Sequence, residues 1–283
     1  MDFSLLRYEP LKETDRAAAC GLLRSDPEGG EHLLHMLSEE PDTLMTAVWK
    51  ERLVALACVG AQGPASFLML FVAPELRGQG IGSAVAAYAE DVLRAGGTQK
   101  IWGAFRADNA AARAFSRHLG YENYFSTACM RRTGPPFPAE QVPVRPYADA
   151  DYPVCQPMYA RAFHEMRLHT GCFPDSVIAP PTEAGRRDWQ THEQDRFIYE
   201  DGGGIAAYSH ICGDELSSVA VCVERQGHGI GGKFIAYLCN EIYRRGYAAV
   251  RLSCVVGNPA RHLYDRLGFQ ETHVEDFPRK TLK

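Results

Sequence analysis

A chain of 283 residues, 46% hydrophobic and 23% charged, is long enough for one large or two ordinary globular domains. Its net charge of −5, without a long basic run, argues against nucleic acid or an anionic membrane surface as a partner. No window reaches the roughly 18 apolar residues of a membrane span, Met1-Asp2-Phe3-Ser4 lacks the pattern of a secretory signal, and nine cysteines without a C-x-x-C pair read as reduced residues of a cytoplasmic protein.

Apolar periodicity predicts a strand near Phe3–Tyr8, helices near Thr14–Leu23 and Glu31–Leu37, and a hairpin of Thr43–Trp49 and Arg52–Val59 turned at Lys50-Glu51. A strand over Phe67–Val72 runs into a glycine-rich loop. Then come a helix with Ile81, Val85, Tyr88 and Val92 on one face, a strand near Lys100–Arg106, a helix near Ala110–Leu119 and a strand from Tyr121. Three prolines and a glycine in Thr133–Pro138 exclude helix and ladder pairing, so residues 1–132 and 142–283 read as two domains joined by a linker at 133–141.

The second half repeats the order. A strand lies near Val142–Tyr147, helices near Asp151–Met166 and Thr182–Gln194, and a hairpin over Arg196–Glu200 and Ile205–Ile211. The strand Glu215–Val223 feeds a second glycine loop, followed by a helix carrying Ile230, Phe234, Leu238 and Ile242, a strand Ala248–Val256, a helix Pro259–Leu267 and a strand from Phe269. The long Arg167–Pro181 stretch is a candidate substrate-facing segment.

The two loops lie 149 residues apart and read Arg77-Gly78-Gln79-Gly80-Ile81-Gly82 and Gln226-Gly227-His228-Gly229-Ile230-Gly231. Each ends a strand and opens a helix, where unpartnered amides and the helix dipole favour an anion. Gly227, Gly229 and Gly232 also fit the dinucleotide pattern G-x-G-x-x-G, but the following strand Ala248–Val256 offers no ribose-binding acid at its end.

Downstream, Asn109 leads to Phe115-Ser116-Arg117-His118-Leu119-Gly120-Tyr121 and Asn258 to Leu263-Tyr264-Asp265-Arg266-Leu267-Gly268-Phe269. The last loop glycine lies 38 residues before Gly120 in one half and 37 before Gly268 in the other. This order resembles the GNAT superfamily of acyl-CoA-dependent N-acyltransferases, with its R/Q-x-x-G-x-G/A loop and L-Y-x-x-L-G-F helix, over nearly the whole chain. The resemblance implies an α/β (α+β) fold of two tandem domains, each a mixed, mostly antiparallel sheet flanked by helices.

It also implies acetyl-CoA as co-substrate, held by the strand ends and loop amides. Those positions are Phe71 and Val72 with Arg77, Gly78, Gln79, Gly80, Ile81, Gly82 and Ser83 in the first half. In the second they are Val221, Cys222 and Val223 with Gln226, Gly227, His228, Gly229, Ile230, Gly231 and Gly232; Asn109 and Asn258 belong to the same set. Val223 stands where the family usually has proline, and the Asn-to-Gly spacing is one residue shorter at Asn258 than at Asn109. Lys233 and Arg225 are further candidates for the CoA 3′-phosphate.

In the family a tyrosine on the last helix often protonates the leaving thiolate, and some members place a base at the start of the strand before the loop. These positions are Tyr264 and Glu215, against Ser116 and Ser66 in the first half. Serine is too short and too weakly acidic for the first role. The sequence thus reads as an N-acetyltransferase with its chemistry in the C-terminal domain and a degenerate N-terminal copy. The acceptor would be a small-molecule or peptide amine, and the acidic balance favours a cationic one. His32 and His35 share a helix face without a third ligand, so no metal is expected. A non-catalytic acyl-CoA-binding or regulatory protein is the alternative, and the chain would be a monomer or homodimer.

Overall fold

The computed structural model describes residues 5–60 and 63–282, so Phe3 and Ser4 of the first expected strand fall outside it. Among the described residues no helix is long and apolar enough to cross a membrane.

The first half runs β1 (Leu6–Pro10), α1 (Arg16–Arg24), α2 (Pro27–Glu39), β2 (Leu44–Trp49), β3 (Arg52–Val59), β4 (Ala65–Val72), α3 (Ile81–Ala95), β5 (Lys100–Trp102), β6 (Phe105–Arg106), α4 (Ala110–His118) and β7 (Glu122–Arg132). The second runs β8 (Val144–Pro146), α5 (Tyr152–Thr170), α6 (Glu183–Thr191), β9 (Arg196–Asp201), β10 (Gly204–Cys212), β11 (Glu215–Val221), α7 (Ile230–Arg244), β12 (Val250–Val255), α8 (Arg261–Arg266) and β13 (Gln270–Thr281).

Helix α2 begins four residues earlier than its apolar period suggests. Asp26 caps it by accepting the Gly29 amide at 3.2 Å, and Pro27 occupies the first turn. Gly30, which reads as a breaker, is instead a packing residue: a Cβ there would lie 2.5 Å from the Leu23 carbonyl oxygen. The β2–β3 turn places Lys50 and Glu51 at φ 49° and 61°, the left-handed pair of a tight hairpin without glycine.

Two compact units emerge, and the first is discontinuous in sequence. One holds the chain up to Tyr124 together with the stretch from Glu275 onward; the other holds Phe125–Val274, including the proline-rich 133–141 segment. The division passes through β7 and β13. The reason is hydrogen bonding: β7 pairs antiparallel with β12 (Arg132 opposite Val250), and the end of β13 pairs antiparallel with β5 (Arg279 opposite Trp102).

In the first unit β1, β2, β3 and β4 are joined antiparallel, and β4 meets β5 in parallel. Leu68 and Val72 pack with Ile81, Val85 and Leu93 of α3, while Leu56 and Phe71 on the opposite face pack with Leu23, Leu33 and Leu37 of α1 and α2. The second unit repeats this with β8, β9, β10 and β11 antiparallel and β11 parallel to β12. Leu216 and Leu252 pack with Phe234, Leu238 and Ile242 of α7, and the other face is an aromatic cluster of Tyr147, Tyr152, Trp189 and Tyr208. Full burial of a side chain such as Phe234 contributes about 1.5–3 kcal/mol. Both units are thus mixed, mostly antiparallel sheets flanked by helices, as expected.

Candidate active site

The two glycine loops have nearly the same backbone. Each leaves its strand through a residue at φ near −45° (Ala73 −43°, Cys222 −47°), makes one 3-10 turn, and extends at Arg77 or Gln226 (ψ 157° in both). Gly80 and Gly229 then start the helices at φ 88° and 82°. The replacement of Pro74 by Val223 therefore leaves the turn intact. Left-handed backbone at Gly78, Gly80, Gly227 and Gly229 is unstrained only for glycine, and a Cβ at Gly78, Gly227 or Gly229 would meet no atom within 4 Å. Open space over a helix N-terminus suits a pyrophosphate.

The side chains before these glycines face inward. Arg77 Nε donates to the Val72 carbonyl at 3.0 Å, and Gln226 Nε2 donates to the Val221 carbonyl at 3.2 Å. Arg77 also pairs with Asp26 at 2.8 Å, whose carboxyl is held below its usual range mainly by that guanidinium. Both residues brace the loop from behind, while His228 Nδ1 lies 2.8 Å from the Gln226 carbonyl. Arg225 pairs with Asp201 and donates to Gly204 at 3.4 Å, so its charge is already engaged.

Gly82 and Gly231 serve packing. Added Cβ atoms would lie 3.1 Å from Phe115 and 3.3 Å from Leu263, which fixes the loop helix against α4 or α8. Those short helices end alike, with Tyr121 N donating to Ser116 O at 3.0 Å and Phe269 N to Tyr264 O at 3.1 Å. Ser116 and Tyr264 are thus true counterparts. Asn109 accepts the Ala112 amide at 2.9 Å and Asn258 the Ala260 amide at 3.0 Å, so both carbonyl oxygens shape the entry to the last helix. The shorter reach at Asn258 absorbs the missing residue.

Beside each loop the sheet opens. Strand β4 pairs with β5 only through Ala65–Phe67, and β11 pairs with β12 only at Glu215. Among the described residues, Leu68–Val72 and Leu216–Val221 have no strand on that edge. Ala73 and Cys222 donate across to β3 and β10 at 2.9 and 2.8 Å, so the free peptide edge faces the gap. The side chains of Phe71 and Val72 are buried and leave only backbone to a ligand.

The halves differ inside the strand before the loop. Strand β4 pairs with β3 without interruption, whereas β11 carries a bulge: His210 faces Ser218 and Ile211 faces Leu216, leaving Ser217 as the extra residue. Bulges of this kind re-aim side chains and are frequent beside active sites. The extra residue also shifts the correspondence by one. Phe67, opposite Trp102, is the counterpart of Glu215, opposite Arg251; a linear count points to Ser66 instead.

The face toward the first two helices of each unit differs as well. In the first unit the cross-strand rows there are Leu44–Cys58–Met69 and Thr46–Leu56–Phe71. The matching rows in the second are Arg196–His210–Ser218 and Ile198–Tyr208–Ala220. Large apolar groups fill the first face; the second has small and polar side chains on β11.

Glu215 lies part-buried on this same face, opposite Cys212. Tyr264 lies on the other face, packed in the α7 cluster with its ring 6.0 Å from Phe269. Burial, with Cys254 nearby, raises its pKa well above the ordinary tyrosine value, so the hydroxyl keeps its proton. Burial pushes the Cys254 thiol up to about 11 and the Cys155 thiol up to about 12; neither offers a ready thiolate. A cavity of about 550 Å³ in the first unit, lined by Arg94, Tyr124 and Arg279 among others, shares no residue with either loop.

The Acetyltransferase (GNAT) family model matches residues 12–121, and the Acetyltransferase (GNAT) domain model matches residues 193–271, together more than half of the chain. The chain belongs to the GNAT acetyltransferase family. No curated protein sequence matches it. Among solved structures, a GCN5-related N-acetyltransferase from Sphaerobacter thermophilus superposes with TM-score 0.72 at 20% identity, covering 98% of this chain and 95% of that one. A tandem GNAT protein from the clavulanic acid biosynthesis pathway gives 0.62 at 16% identity, covering 98% of both chains. A GNAT-family acetyltransferase from Colwellia psychrerythraea gives 0.61 at 13%, covering 98% and 100%. These likenesses establish the tandem GNAT fold.

Sequence reasoning identified both loops but missed the bulge at Ser217, the Arg196–His210–Ser218 row and the bracing role of Arg77 and Gln226. The bulge leaves no residue signature. The row joins three strands whose register the sequence does not state.

Proposed function

We propose that this GNAT protein transfers an acetyl group from acetyl-CoA to a primary amine by direct attack, with the chemistry in its C-terminal half. The observation that carries this reading is the face opposite α7. There the second half presents Arg196, His210, Ser218 and Glu215, where the first has Leu44, Cys58, Met69 and Phe67. An acceptor needs polar partners beside the open strand edge, and the second half presents them where the first presents apolar groups.

The pyrophosphate would rest on the amides of Gly227–Gly231, and the pantetheine arm on the free edge of Val219–Val221. Acetyl-CoA supplies an activated acyl group. Amine attack forms the C–N bond, the C–S bond breaks, and the electron pair leaves on sulfur. Glu215, on the acceptor face, would receive the proton shed by nitrogen directly or through water. Tyr264, on the opposite face, would hydrogen-bond the departing thiolate. Its raised pKa makes complete proton transfer to an ordinary thiolate uphill, so stabilisation through the hydrogen bond is its main role.

The N-terminal half keeps a complete loop and an open strand edge, and would bind acyl-CoA without turnover. The alternative, an acyl-CoA-binding protein without catalysis, predicts binding at the loops and no acetyl transfer to any amine. The deciding experiment is an amine-panel assay with Tyr264→Phe and Glu215→Gln. A fall in kcat with little change in KM supports the two roles; absence of turnover in the wild type, with acetyl-CoA bound, supports the alternative. A cytoplasmic, monomeric or homodimeric protein fits this reading, and both attributes are accessible to fractionation and light scattering.

A further inference from the structure

We propose that His210 binds the acceptor amine in the C-terminal site, its neutral imidazole accepting a hydrogen bond from an N–H of the attacking nitrogen, and that the site selects primary amines without a second positive charge. This rests on the C-terminal half being the catalytic one.

Placement comes first. His210 is part-buried on β10, directly opposite Ser218, the residue that follows the bulge. Cross-strand neighbours have Cβ atoms about 4.5–5.5 Å apart. Glu215, one row further along the same face, brings a carboxylate into the neighbourhood. The bulge thus sets two acceptors of hydrogen bonds on one face of the sheet, an imidazole on β10 across from Ser218 and a carboxylate on β11 where the open strand edge begins. No such pair exists in the first half, where Cys58 and Phe67 occupy those positions.

The surrounding charges decide which form of the imidazole is present. Arg196, on the adjacent strand β9, is 4% exposed and anchored by three contacts. Its Nε donates to the Trp189 carbonyl at 3.0 Å, its Nη1 donates to the Tyr208 hydroxyl, and its guanidinium lies 5.0 Å from the Trp189 ring centroid. The His192 ring, at the end of α6, is 5.9 Å away. Burial, then the charges of Arg196 and His192, push His210 down to about 4, against the opposite pull of Asp195 and Asp188. Asp195 is itself paired with Arg245 at 2.6 Å. The ring therefore presents a lone pair across the physiological range.

The same environment acts on the acceptor. A primary ammonium near the ordinary amine value of about 10.4 must lose a proton before it can attack. Burial and a fixed guanidinium disfavour its charged form, the device by which amines are activated next to another cation. A substrate with a further cationic group meets that field twice. The overall acidic balance of the chain favours a cationic acceptor, but exposed charges are screened within about 8 Å at physiological salt. Arg196 is buried and adjacent, and its ion-pair partner Asp188, 4.0 Å away, is exposed and screened by solvent, so the local field outweighs the global one.

The test uses the full chain with acetyl-CoA and four acceptors: benzylamine, phenylalanine, spermidine and a tetrapeptide with a free N-terminus. His210→Leu is expected to raise KM for the amine at least tenfold with the acetyl-CoA Kd unchanged, and His210→Gln, which keeps an acceptor oxygen, to restore most of it. Spermidine should be the poorest of the four. By NMR, the His210 ring should titrate below pH 5 and shift on adding benzylamine in the presence of CoA, whether or not that amine turns over. An unchanged amine KM in His210→Leu, a titration near 6.5, no ring shift, or a preference for spermidine overturns the proposal. If those results come while Gly229→Glu abolishes turnover, only His210 is misassigned. If Gly229→Glu leaves turnover intact, the catalytic half itself is misassigned.

Discussion

Ser218 stands across from His210 in the second unit at the register where Met69 stands across from Cys58 in the first. One extra residue, Ser217, accompanies the change. The two halves share a loop, an open strand edge and a helix ending, and they diverge where an acceptor would sit.

That divergence predicts what filling the face would do. Ala220→Phe, copying Phe71 at the matching position, should block amine binding while acetyl-CoA still binds. Calorimetry against acetyl-CoA and steady-state kinetics with the best amine separate the two effects. The reverse change, Phe71→Ala, empties a fully packed site and should cost about 3–5 kcal/mol of first-unit stability by chemical denaturation.

Tyr264 gives a pH prediction. Burial raises its pKa above the free tyrosine value, so its hydroxyl remains protonated through neutral and mildly alkaline solution. The kcat profile should show no descending limb from this group up to about pH 10. Tyr264→Phe should lower kcat roughly 10- to 100-fold with KM little changed. A phenylalanine variant with wild-type kcat would remove Tyr264 from the reaction.

Lys280 and Glu90 join β13 to the core of the first unit. The ammonium lies 2.6 and 2.9 Å from the two carboxylate oxygens, Tyr121 donates its hydroxyl to the same group at 3.0 Å, and Glu90 is 7% exposed. Lys280→Met would leave that carboxylate with the phenol alone, a loss of about 3 kcal/mol in urea denaturation. Hydrogen exchange should locate the weakening in Lys100–Trp102, the strand β13 covers.

His32 binds Glu275 at 2.8 Å, and the hydrogen bond to that carboxylate raises the imidazole pKa above its ordinary value. A raised folded-state value means the contribution is complete below the unfolded pKa of about 6.5 and is lost as pH rises through the folded one. The melting temperature should therefore fall between pH 6 and pH 8 by an amount that Glu275→Gln abolishes. Equal pH dependence in the two proteins would contradict this.

Both glycine loops, the helices that end in Leu-Gly, and the tandem order could be read in the sequence because each is a local pattern. Ser116 and Tyr264 were matched correctly on those grounds, and the matching helix-end hydrogen bonds bear it out. Non-local features could not be read. The partner of His32 lies 243 positions away, and β5 is completed by the far C-terminus. The counterpart of Glu215 shifts from Ser66 to Phe67 because a bulge adds a residue that no composition signal marks. The early start of α2 was hidden because Gly29 and Gly30 look like breakers, although Gly30 permits a close helix crossing.

The central claim is that catalysis resides with the second loop although both loops can hold a pyrophosphate. The most direct measurement is the rate of acetyl transfer by the full chain carrying Gly80→Glu or Gly229→Glu. Each places a carboxylate and a strained left-handed residue in one anion cradle. The account predicts that Gly229→Glu abolishes turnover and that Gly80→Glu leaves kcat within a few-fold of wild type. Activity that survives Gly229→Glu and is lost in Gly80→Glu would contradict it.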